Sequence, residues 1–276
     1  MMNKTAPIGV FDSGIGGLSV LKQLIRFLPY ENYVYLGDTA RVPYGNKSNT
    51  TVKQYATDCA SFLLSKKVKL IVVACNTVSA VALQSVKDIA VDVPVIGMIE
   101  PAAAAALHST NNGRIGVIGT RATIASNSYK NAIIGLAPDN AVQVYSQECP
   151  LFVPLVEEGM MQHPASHIIA EEYLSLLISQ KVDTLVLGCT HYPLLSPLIR
   201  DIMPNTSQID SGEHSAVAAL RLLADNQSLA DERKEFLLKH NIEFYVTDYP
   251  SHFHAMSQNF LGFEIDTPQL VELTNE

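Results

Sequence analysis

The sequence predicts an α/β protein of two pseudosymmetric domains, each a mostly parallel sheet covered by helices. Apolar runs typical of buried strands alternate with helical patterns along the first part of the chain. That alternation indicates a parallel sheet with helices on both faces. The second half of the chain then repeats the same order about 110 residues later. The repeat therefore predicts two related domains.

The elements of the first half follow from the spacing of apolar residues. Strands are predicted at Ile8–Asp12, at Tyr33–Gly37, within 68–77 and at 94–98, and helices at 18–28, 50–66 and 78–89. The run Ser13-Gly14-Ile15-Gly16-Gly17 is a glycine-rich turn that opens the first helix. Such a helix start can bind an anion through its free backbone N–H groups. The alternative interpretation is that the glycines serve only to form a tight turn. The turn lacks the GxGxxG spacing of a dinucleotide site.

The second half repeats this order and is followed by a C-terminal part. Strands are predicted at 115–119, at 142–146, within 182–192 and at 208–210, and helices after Pro101, after Thr120, at 166–179 and at 194–202. Residues 149–159 are predicted to form a loop, and a helix at 216–224 and a strand at 243–246 follow. We expect the C-terminal part to complete the first domain. The predicted domains are thus 1–98 with 211–276, and 99–210 inserted between them.

Composition and charge restrict the class of protein. The 276 residues are 47% hydrophobic and 17% charged, as in a folded protein. A net charge of -8 argues against a nucleic-acid partner or an anionic membrane surface. We expect a cytoplasmic protein, because neither a signal peptide nor a membrane-spanning run is evident. The four cysteines contain no CxxC pair, so reduced thiols are expected rather than a zinc framework or disulfides.

Two of the cysteines lie in matching segments. The segments are VKLIVVACNT at 68–77 and VDTLVLGCTHY at 182–192, and in each the cysteine follows the opening valine by seven residues. A cysteine at one strand end is by itself most often a buried apolar residue. The duplicated context and the neighbouring polar residues instead indicate that Cys75 and Cys189 approach a ligand from opposite sides of a cleft between the domains.

Two thiols on opposite faces of one carbon suit stereochemical inversion. One group removes a proton and the other returns a proton to the far face. A free thiol has a pKa of about 8.5, and cationic surroundings lower it, so a thiolate base and a thiol acid coexist near neutral pH. The pair would exchange roles in the reverse reaction.

Several segments together resemble the glutamate racemases, a family of cofactor-independent amino-acid racemases. The segments are FDSGIGG at 11–17, YLGDTARVPYG at 35–45, ACNT at 74–77, CPLFVPLVEEG at 149–159 and LGCTHYPLL at 187–195. The resemblance implies racemisation of L- and D-glutamate without pyridoxal phosphate or metal, in a homodimer that supplies D-glutamate for peptidoglycan. Val42 and the alanine-rich helix after Glu100 depart from the family pattern, away from the implied catalytic positions.

The resemblance also implies roles for individual residues. Cys75 and Cys189 would be the two catalytic bases, with Asp12 assisting the first and Glu157 and His191 the second. Glu158, which is adjacent, is the alternative to Glu157. The implied substrate contacts are Asp12, Ser13, Tyr44, Gly45, Asn76, Thr77, Thr190 and His191. Backbone N–H groups of the Ser13, Gly45, Thr77 and Thr190 positions are expected to face the substrate carboxylate.

Other interpretations of these residues stay open at this point. Asp12 is also explained as an acid at a helix start, and His191 as a capping or filling residue. His252 and His254 have the spacing of a metal pair, but no third ligand is near, so a solvated helix start is favoured. Racemisation of aspartate or isomerisation of another small diacid is the enzymatic rival. The alternative outside the enzymes is a binding protein that keeps the cleft but has no catalytic activity.

Overall fold

Ten strands form two separate parallel sheets in the computed structural model, which describes residues 3–138, 141–231 and 242–273. The first sheet contains β1 (Ile8–Asp12), β2 (Tyr33–Gly37), β3 (Leu70–Val73), β4 (Val95–Ile96), β9 (Ile242–Val246) and β10 (Gln269–Leu270). The second contains β5 (Arg114–Gly119), β6 (Gln143–Glu148), β7 (Thr184–Gly188) and β8 (Ser207–Asp210).

Twelve helices connect the strands within the described ranges. They are α1 (Leu18–Phe27), α2 (Asn49–Ser65), α3 (Asn76–Val81), α4 (Leu83–Ala90), α5 (Ile99–Ser109), α6 (Arg121–Ala125), α7 (Ser128–Leu136), α8 (Phe152–Glu157), α9 (Pro164–Ser179), α10 (Ser196–Ile202), α11 (Ser211–Asp225) and α12 (Pro250–Leu261). None of the helices in the described part of the chain is long and apolar enough to cross a membrane.

The two sheets share one strand order. Neighbouring strands run β10-β9-β2-β1-β3-β4 in the first sheet and β6-β5-β7-β8 in the second, so that β2-β1-β3-β4 corresponds to β6-β5-β7-β8. All paired strands are parallel. In each sheet the first strand along the chain, β1 or β5, has later strands on both of its sides. This arrangement leaves a crevice at the carboxyl end of the first strand, where ligands bind in open α/β sheets. The predicted fold class, two pseudosymmetric α/β domains, is confirmed.

Local sequence accounts for where the elements begin. The central strands β1, β3 and β7 are buried along their whole length, as their continuous apolar runs indicate. Ser48, Thr120 and Asp210 cap the starts of α2, α6 and α11, each accepting a hydrogen bond from a backbone N–H of the first turn. These caps end the preceding loops and fix where the next helix starts.

Three predicted segments differ from the structure. Residues 149–159 were expected to be a loop, but they contain α8. Pro154 lies in the first turn of that helix, where its missing N–H removes no hydrogen bond within the helix. The helix predicted at 78–89 is two helices, because the backbone of Ala82 leaves the helical region. The segment before α10 is a 3₁₀ turn, Tyr192–Leu195.

Side chains from both sheets contribute to one apolar cluster. Val10 of β1 and Leu187 of β7 both belong to it, together with buried residues of α1 and α11. The strand membership of the two sheets supports the predicted division into 1–98 with 211–276 and 99–210, which stays a prediction. Positions 1–2, 232–241 and 274–276 of that first domain lie outside the described residues. In the following sections, the first unit denotes the first sheet with the helices of residues 1–98 and 211–276. The second unit denotes the second sheet with the helices of residues 99–210.

Candidate active site

The carboxyl ends of the central strands of both sheets meet at one cavity of about 510 Å³. It is lined by all but one of the predicted site residues, namely Ser13, Tyr44, Gly45, Cys75, Asn76, Thr77, Glu157, Cys189, Thr190 and His191. Ser13, Cys75 and Cys189 follow β1, β3 and β7 within two residues. The strand order therefore brings together residues that are far apart in the sequence.

Cys75 lies at the cap position of α3 and is 5% exposed. Its Sγ is 3.6 Å from Ser13 Oγ, to which the thiol donates. Burial, and then the negative charge of Asp12, raise the pKa of Cys75 to about 12, although hydrogen bonds with the Val78 backbone and the Ser13 side chain act in the opposite direction. In the free protein Cys75 is therefore a thiol at neutral pH.

Asp12 lies beneath the cavity and does not line it. Its Oδ2 accepts hydrogen bonds from the backbone N–H groups of Gly14 and Gly17, each at 3.0 Å. Gly17 has to be a glycine, because a Cβ there would lie 2.4 Å from Asp12 Cβ. Burial raises the pKa of Asp12, and the charge of His191 and the backbone donors oppose that shift. Asp12 Oδ1 is buried and accepts no hydrogen bond from a described residue.

Cys189, His191 and Glu157 form a connected row. His191 Nδ1 is 3.9 Å from Cys189 Sγ, and His191 Nε2 is 2.9 Å from Glu157 Oε1. Burial alone would lower the pKa of His191, but hydrogen bonds to Cys189 and Glu157 outweigh it and raise the pKa to about 10. The imidazole is thus positively charged at neutral pH.

The structure distinguishes the two adjacent glutamates, Glu157 at the end of α8 and Glu158 directly after it. Glu157 lines the cavity and contacts His191. Glu158 follows the end of the helix and is exposed. Phe260 of α12 packs edge-on against the His191 ring, with centroids 5.5 Å apart, so that the ring is held on both sides.

Close contacts between the two units shape the cleft. A Cβ at Gly16 would lie 2.3 Å from Thr190 Oγ1, so the glycine turn of the first unit touches the segment after β7. Ser19 Oγ donates to the Thr190 carbonyl at 2.7 Å. On the other side, the hydroxyls of Thr77 and Thr120 are 3.0 Å apart. The units are therefore in contact on both flanks of the cavity.

Tyr44 lines the cavity, but its hydroxyl is hydrogen-bonded inside the protein, which the sequence did not indicate. Its hydroxyl donates to Asp38, a fully buried carboxylate that also accepts from Arg41 Nε at 2.6 Å and from Thr247 Oγ1 at 2.9 Å. Because the hydroxyl is used inside the protein, Tyr44 offers a ligand its ring and its backbone. The buried charges hold the loop that carries Gly45.

Other cavity-lining residues were missed in the sequence. They are chiefly Thr120, Arg121, Tyr173 and an apolar wall formed by Pro150, Leu151, Val153 and Pro154. The repeat contains a signal for one of them, because Thr120 follows β5 as Ser13 follows β1. No comparable signal exists for Tyr173, which reaches the cavity from the middle of α9.

The remaining cysteines and the histidine pair lie elsewhere. Cys59 and Cys149 are free and fully buried, and burial is the main cause that raises the pKa of each. His252 and His254 are exposed in the first turn of α12. Within 3–138, 141–231 and 242–273, no group of three or more His, Cys, Asp or Glu side chains is arranged to hold a metal ion.

The chain is similar to known proteins over nearly its whole length. A family model described as Asp/Glu/Hydantoin racemase matches residues 8–219. The glutamate racemase of Chlorobaculum parvum is 47% identical over 271 residues, 98% of this chain and 97% of that protein. The glutamate racemase of Syntrophus aciditrophicus is 46% identical, over 99% and 100% of the two chains. A crystal structure of glutamate racemase from Francisella tularensis in complex with D-glutamate matches with a TM-score of 0.89, at 39% identity and 98% coverage of each chain.

Proposed function

The chain belongs to the Asp/Glu/Hydantoin racemase family, and on that basis we propose that it interconverts L-glutamate and D-glutamate by a two-base mechanism without a cofactor. The observation that carries the proposal is that Cys75 and Cys189, at equivalent strand ends of the two units, line one cavity. Inversion needs one group to take the α-proton and another to deliver a proton to the opposite face. The two thiols supply both groups.

The surroundings of the thiols support one base and one acid in the resting protein. The pKa of Cys75 is raised to about 12, so this residue holds its proton. Cys189 Sγ lies 3.9 Å from a His191 ring that is positively charged at neutral pH. A positive charge at that distance stabilises a thiolate. We therefore assign the role of acid to Cys75, and the role of base to Cys189 from its contact with His191, for the first proton transfer.

The proton balance of one turnover follows from these states. The thiolate of Cys189 takes the α-proton and becomes a thiol, while the electron pair of the Cα–H bond stays on the substrate carbon. The thiol of Cys75 then gives its proton to the other face of that carbon and becomes a thiolate. This end state is the starting state for the reverse reaction, so the same two residues serve both directions. Return to the resting state moves one proton from Cys189 to Cys75 through solvent.

The polar residues of the cavity support the binding of an amino acid with two carboxylates. Ser13, Gly45, Thr77 and Thr190 line the cavity, and their backbone N–H groups and the threonine hydroxyls are the candidate donors. We assign them to the carboxylates, where they stabilise charge that develops during proton removal. Asp12 Oδ1 is a buried acceptor with no partner among the described residues. We assign it to the substrate ammonium group, which requires a small opening of the glycine turn.

The α-proton is much less acidic than a thiol, so proton transfer alone does not account for the rate. General acid–base catalysis supplies roughly 10²- to 10⁴-fold. The remainder is assigned to fixed donors and to exclusion of water between the two units. The low exposure of both thiols, 5% and 6%, supports the second contribution.

The names of the relatives favour glutamate over aspartate. Those of Chlorobaculum parvum and Syntrophus aciditrophicus are glutamate racemases that match this chain over nearly their full length. A catalytically idle binding protein would not need a proton donor on each face of the ligand. We therefore retain glutamate as the substrate and racemisation as the reaction.

We place this activity in the bacterial cytoplasm, where it supplies D-glutamate for peptidoglycan. All four cysteines are free, and thiols persist in a reducing compartment. A homodimer is the proposed assembly. Apolar side chains that stay exposed on α9, such as Ile168 at 67%, support a surface that a second copy covers. Sedimentation velocity at micromolar concentration tests it, and a monomer would contradict it.

The function is tested by incubating L-glutamate with the purified protein in D₂O without added cofactor. We expect deuterium at the α-carbon together with D-glutamate, and the same from D-glutamate in reverse. Aspartate and other small diacids serve as parallel substrates. The absence of exchange from either glutamate enantiomer would refute the proposal. Faster turnover of aspartate would show that aspartate, rather than glutamate, is the substrate.

The two-base mechanism is tested by removing each thiol in turn. Cys75→Ser and Cys189→Ser should each abolish racemisation, because a serine hydroxyl is a far weaker base than a thiolate. Cys149→Ser is a matched control, since Cys149 is equally buried and lies outside the cavity lining. Full activity in either Cys75→Ser or Cys189→Ser would show that one thiol suffices.

A further inference from the structure

Tyr129 belongs to the second unit but is bonded to a side chain of the first. It lies in α7, and 2% of it is exposed. Its hydroxyl donates to Asn76 Oδ1 at 2.5 Å. Asn76 directly follows Cys75, is 2% exposed and lines the cavity. The buried hydroxyl of Tyr129 in the second unit is therefore hydrogen-bonded to Asn76, the residue next to the thiol of Cys75 in the first unit.

A second hydrogen bond fixes which way the Asn76 amide points. Asn76 Nδ2 is 3.3 Å from Ser211 Oγ, and Ser211 Oγ donates to the Leu187 carbonyl at 3.1 Å. A serine hydroxyl has a single hydrogen, so Ser211 can only accept from Asn76. The flipped amide would turn Asn76 Oδ1 toward an oxygen whose hydrogen is already used. The amide therefore has one favoured orientation, with the oxygen toward Tyr129.

Tyr129 keeps its proton under all ordinary conditions. Burial is the main cause that raises the pKa of Tyr129; a hydrogen bond with Ser211 opposes this shift, and the charges of Cys189 and Asp210 add to it. A phenol that stays protonated is a permanent donor to the Asn76 oxygen. The orientation of the amide therefore does not change with pH across the working range of the protein.

Two members of this chain of hydrogen bonds, Tyr129 and Leu187, belong to the second unit, whereas Ser211 belongs with Asn76 to the first. Tyr129 is in α7, Leu187 is in β7, and Ser211 begins α11 directly after β8. Asn76 begins α3, after the third strand of the other sheet. The complete chain of hydrogen bonds forms only when the two units are in contact around the cavity.

We propose that Tyr129 and Ser211 are positioning residues that hold the Asn76 amide with its second N–H directed at a substrate carboxylate, and that the full set of these contacts forms only when the units are closed. Asn76 has two Nδ2 hydrogens, of which Ser211 receives one. We assign the other to the substrate, because Asn76 lines the cavity. This inference rests on the proposed function and adds to it a link between closure of the cleft and assembly of the carboxylate site.

Loss of the Tyr129 hydroxyl should weaken substrate binding. Without that donor the Asn76 oxygen loses its buried partner, so the amide is held less firmly and its second N–H is directed less well at the substrate carboxylate. Tyr129→Phe keeps the ring, which packs beside Gly188, so the fold is retained. We expect KM for glutamate to rise about tenfold, as for loss of one hydrogen bond to a charged group, with kcat changed less than threefold.

The matched control is Tyr33→Phe. Tyr33 is also buried, at 1% exposure, and its hydroxyl also donates within the protein, to the carbonyls of Leu24 and Leu28. It lies outside the cavity lining. Steady-state racemisation in both directions, pH profiles and urea unfolding are measured for wild type, Tyr33→Phe, Tyr129→Phe and Ser211→Ala. The two positioning variants should raise KM with unchanged pH profiles, whereas Tyr33→Phe should lower stability alone.

A double-mutant cycle separates positioning from a general loss of structure. If Tyr129 acts through Asn76, Tyr129→Phe should add nothing to KM in the Asn76→Ala background. The proposal is overturned if Tyr129→Phe leaves KM within twofold of wild type, or if its effect is additive with Asn76→Ala. Should Tyr129→Phe fail to fold, Ser211→Ala decides by the same criteria. A wild-type protein without racemisation would instead refute the proposed function.

Discussion

Adding a methyl group at Gly16 tests whether catalysis needs the contact between the glycine turn and the segment after β7. A Cβ there would lie 2.3 Å from Thr190 Oγ1 and 2.4 Å from His191 Cε1. The φ angle of Gly16 is not in the positive region, so alanine is acceptable to the backbone itself. The substitution therefore acts through the two contacts across the cleft.

The size of the effect follows from the distance that must be recovered. Ordinary contact for a Cβ begins at 3.4 Å, so the turn and the His191 segment must separate by about 1 Å. His191 is bonded to Cys189 and Glu157, so the displacement moves the second thiol relative to the first. A misplacement of about 1 Å can lower a rate about 10²-fold. We expect kcat for Gly16→Ala to fall by about that factor, and overpacking to reduce stability by about 1–3 kcal/mol.

Gly135→Ala is the control for this variant. Gly135 lies in α7 and a Cβ there meets no atom within 4 Å, so alanine should stabilise the helix by up to about 1 kcal/mol and leave racemisation unchanged. Circular dichroism at saturating glutamate gives kcat, and urea unfolding gives stability. If kcat of Gly16→Ala were within threefold of the control, the contact across the cleft would not be needed for catalysis.

Two further predictions concern charge. The pKa of His191 is about 10 when folded against an ordinary 6.5, so its charge contributes stability that is complete below pH 6.5 and lost as the pH rises toward 10. Urea unfolding should show this fall, and Glu157→Gln should flatten it; an equal slope in both proteins would contradict the assignment. Arg121 is the only arginine or lysine in the described cavity lining. Arg121→Gln should lower kcat/KM for anionic glutamate about threefold at low salt, and the loss should vanish near 0.5 M salt; a loss that persists there would indicate direct contact instead.

The order and type of the elements could be predicted because both depend on local patterns. Buried parallel strands are continuous apolar runs, and β1 and β2 have the predicted bounds. The repeat of the Cys75 and Cys189 segments predicted matching positions in two sheets, and the common strand order explains why. Helix α8 was missed because two prolines in 149–159 indicate a loop when the position of a helix start is unknown.

The parts of the site that escaped prediction depend on distant contacts. Tyr129 and Tyr173 lie inside helices, among apolar residues, and nothing local separates them from core tyrosines such as Tyr33. The role of a hydroxyl is decided by the partner that the fold brings to it. For Tyr44 that partner is Asp38 rather than a ligand, and for Tyr129 it is Asn76. Only the folded arrangement of loops and helices supplies this information.

Equivalent strand ends do not make the two thiols chemically equal. The repeat places Cys75 and Cys189 alike, but the residues that follow β1 and β7 differ. Burial, and then the negative charge of Asp12, raise the pKa of Cys75, whereas Cys189 has the positively charged ring of His191 beside it. Two identical environments would favour two thiols or two thiolates, and neither state can both accept and donate a proton. The different surroundings of the two thiols therefore suit a mechanism in which one residue gives a proton and the other takes one.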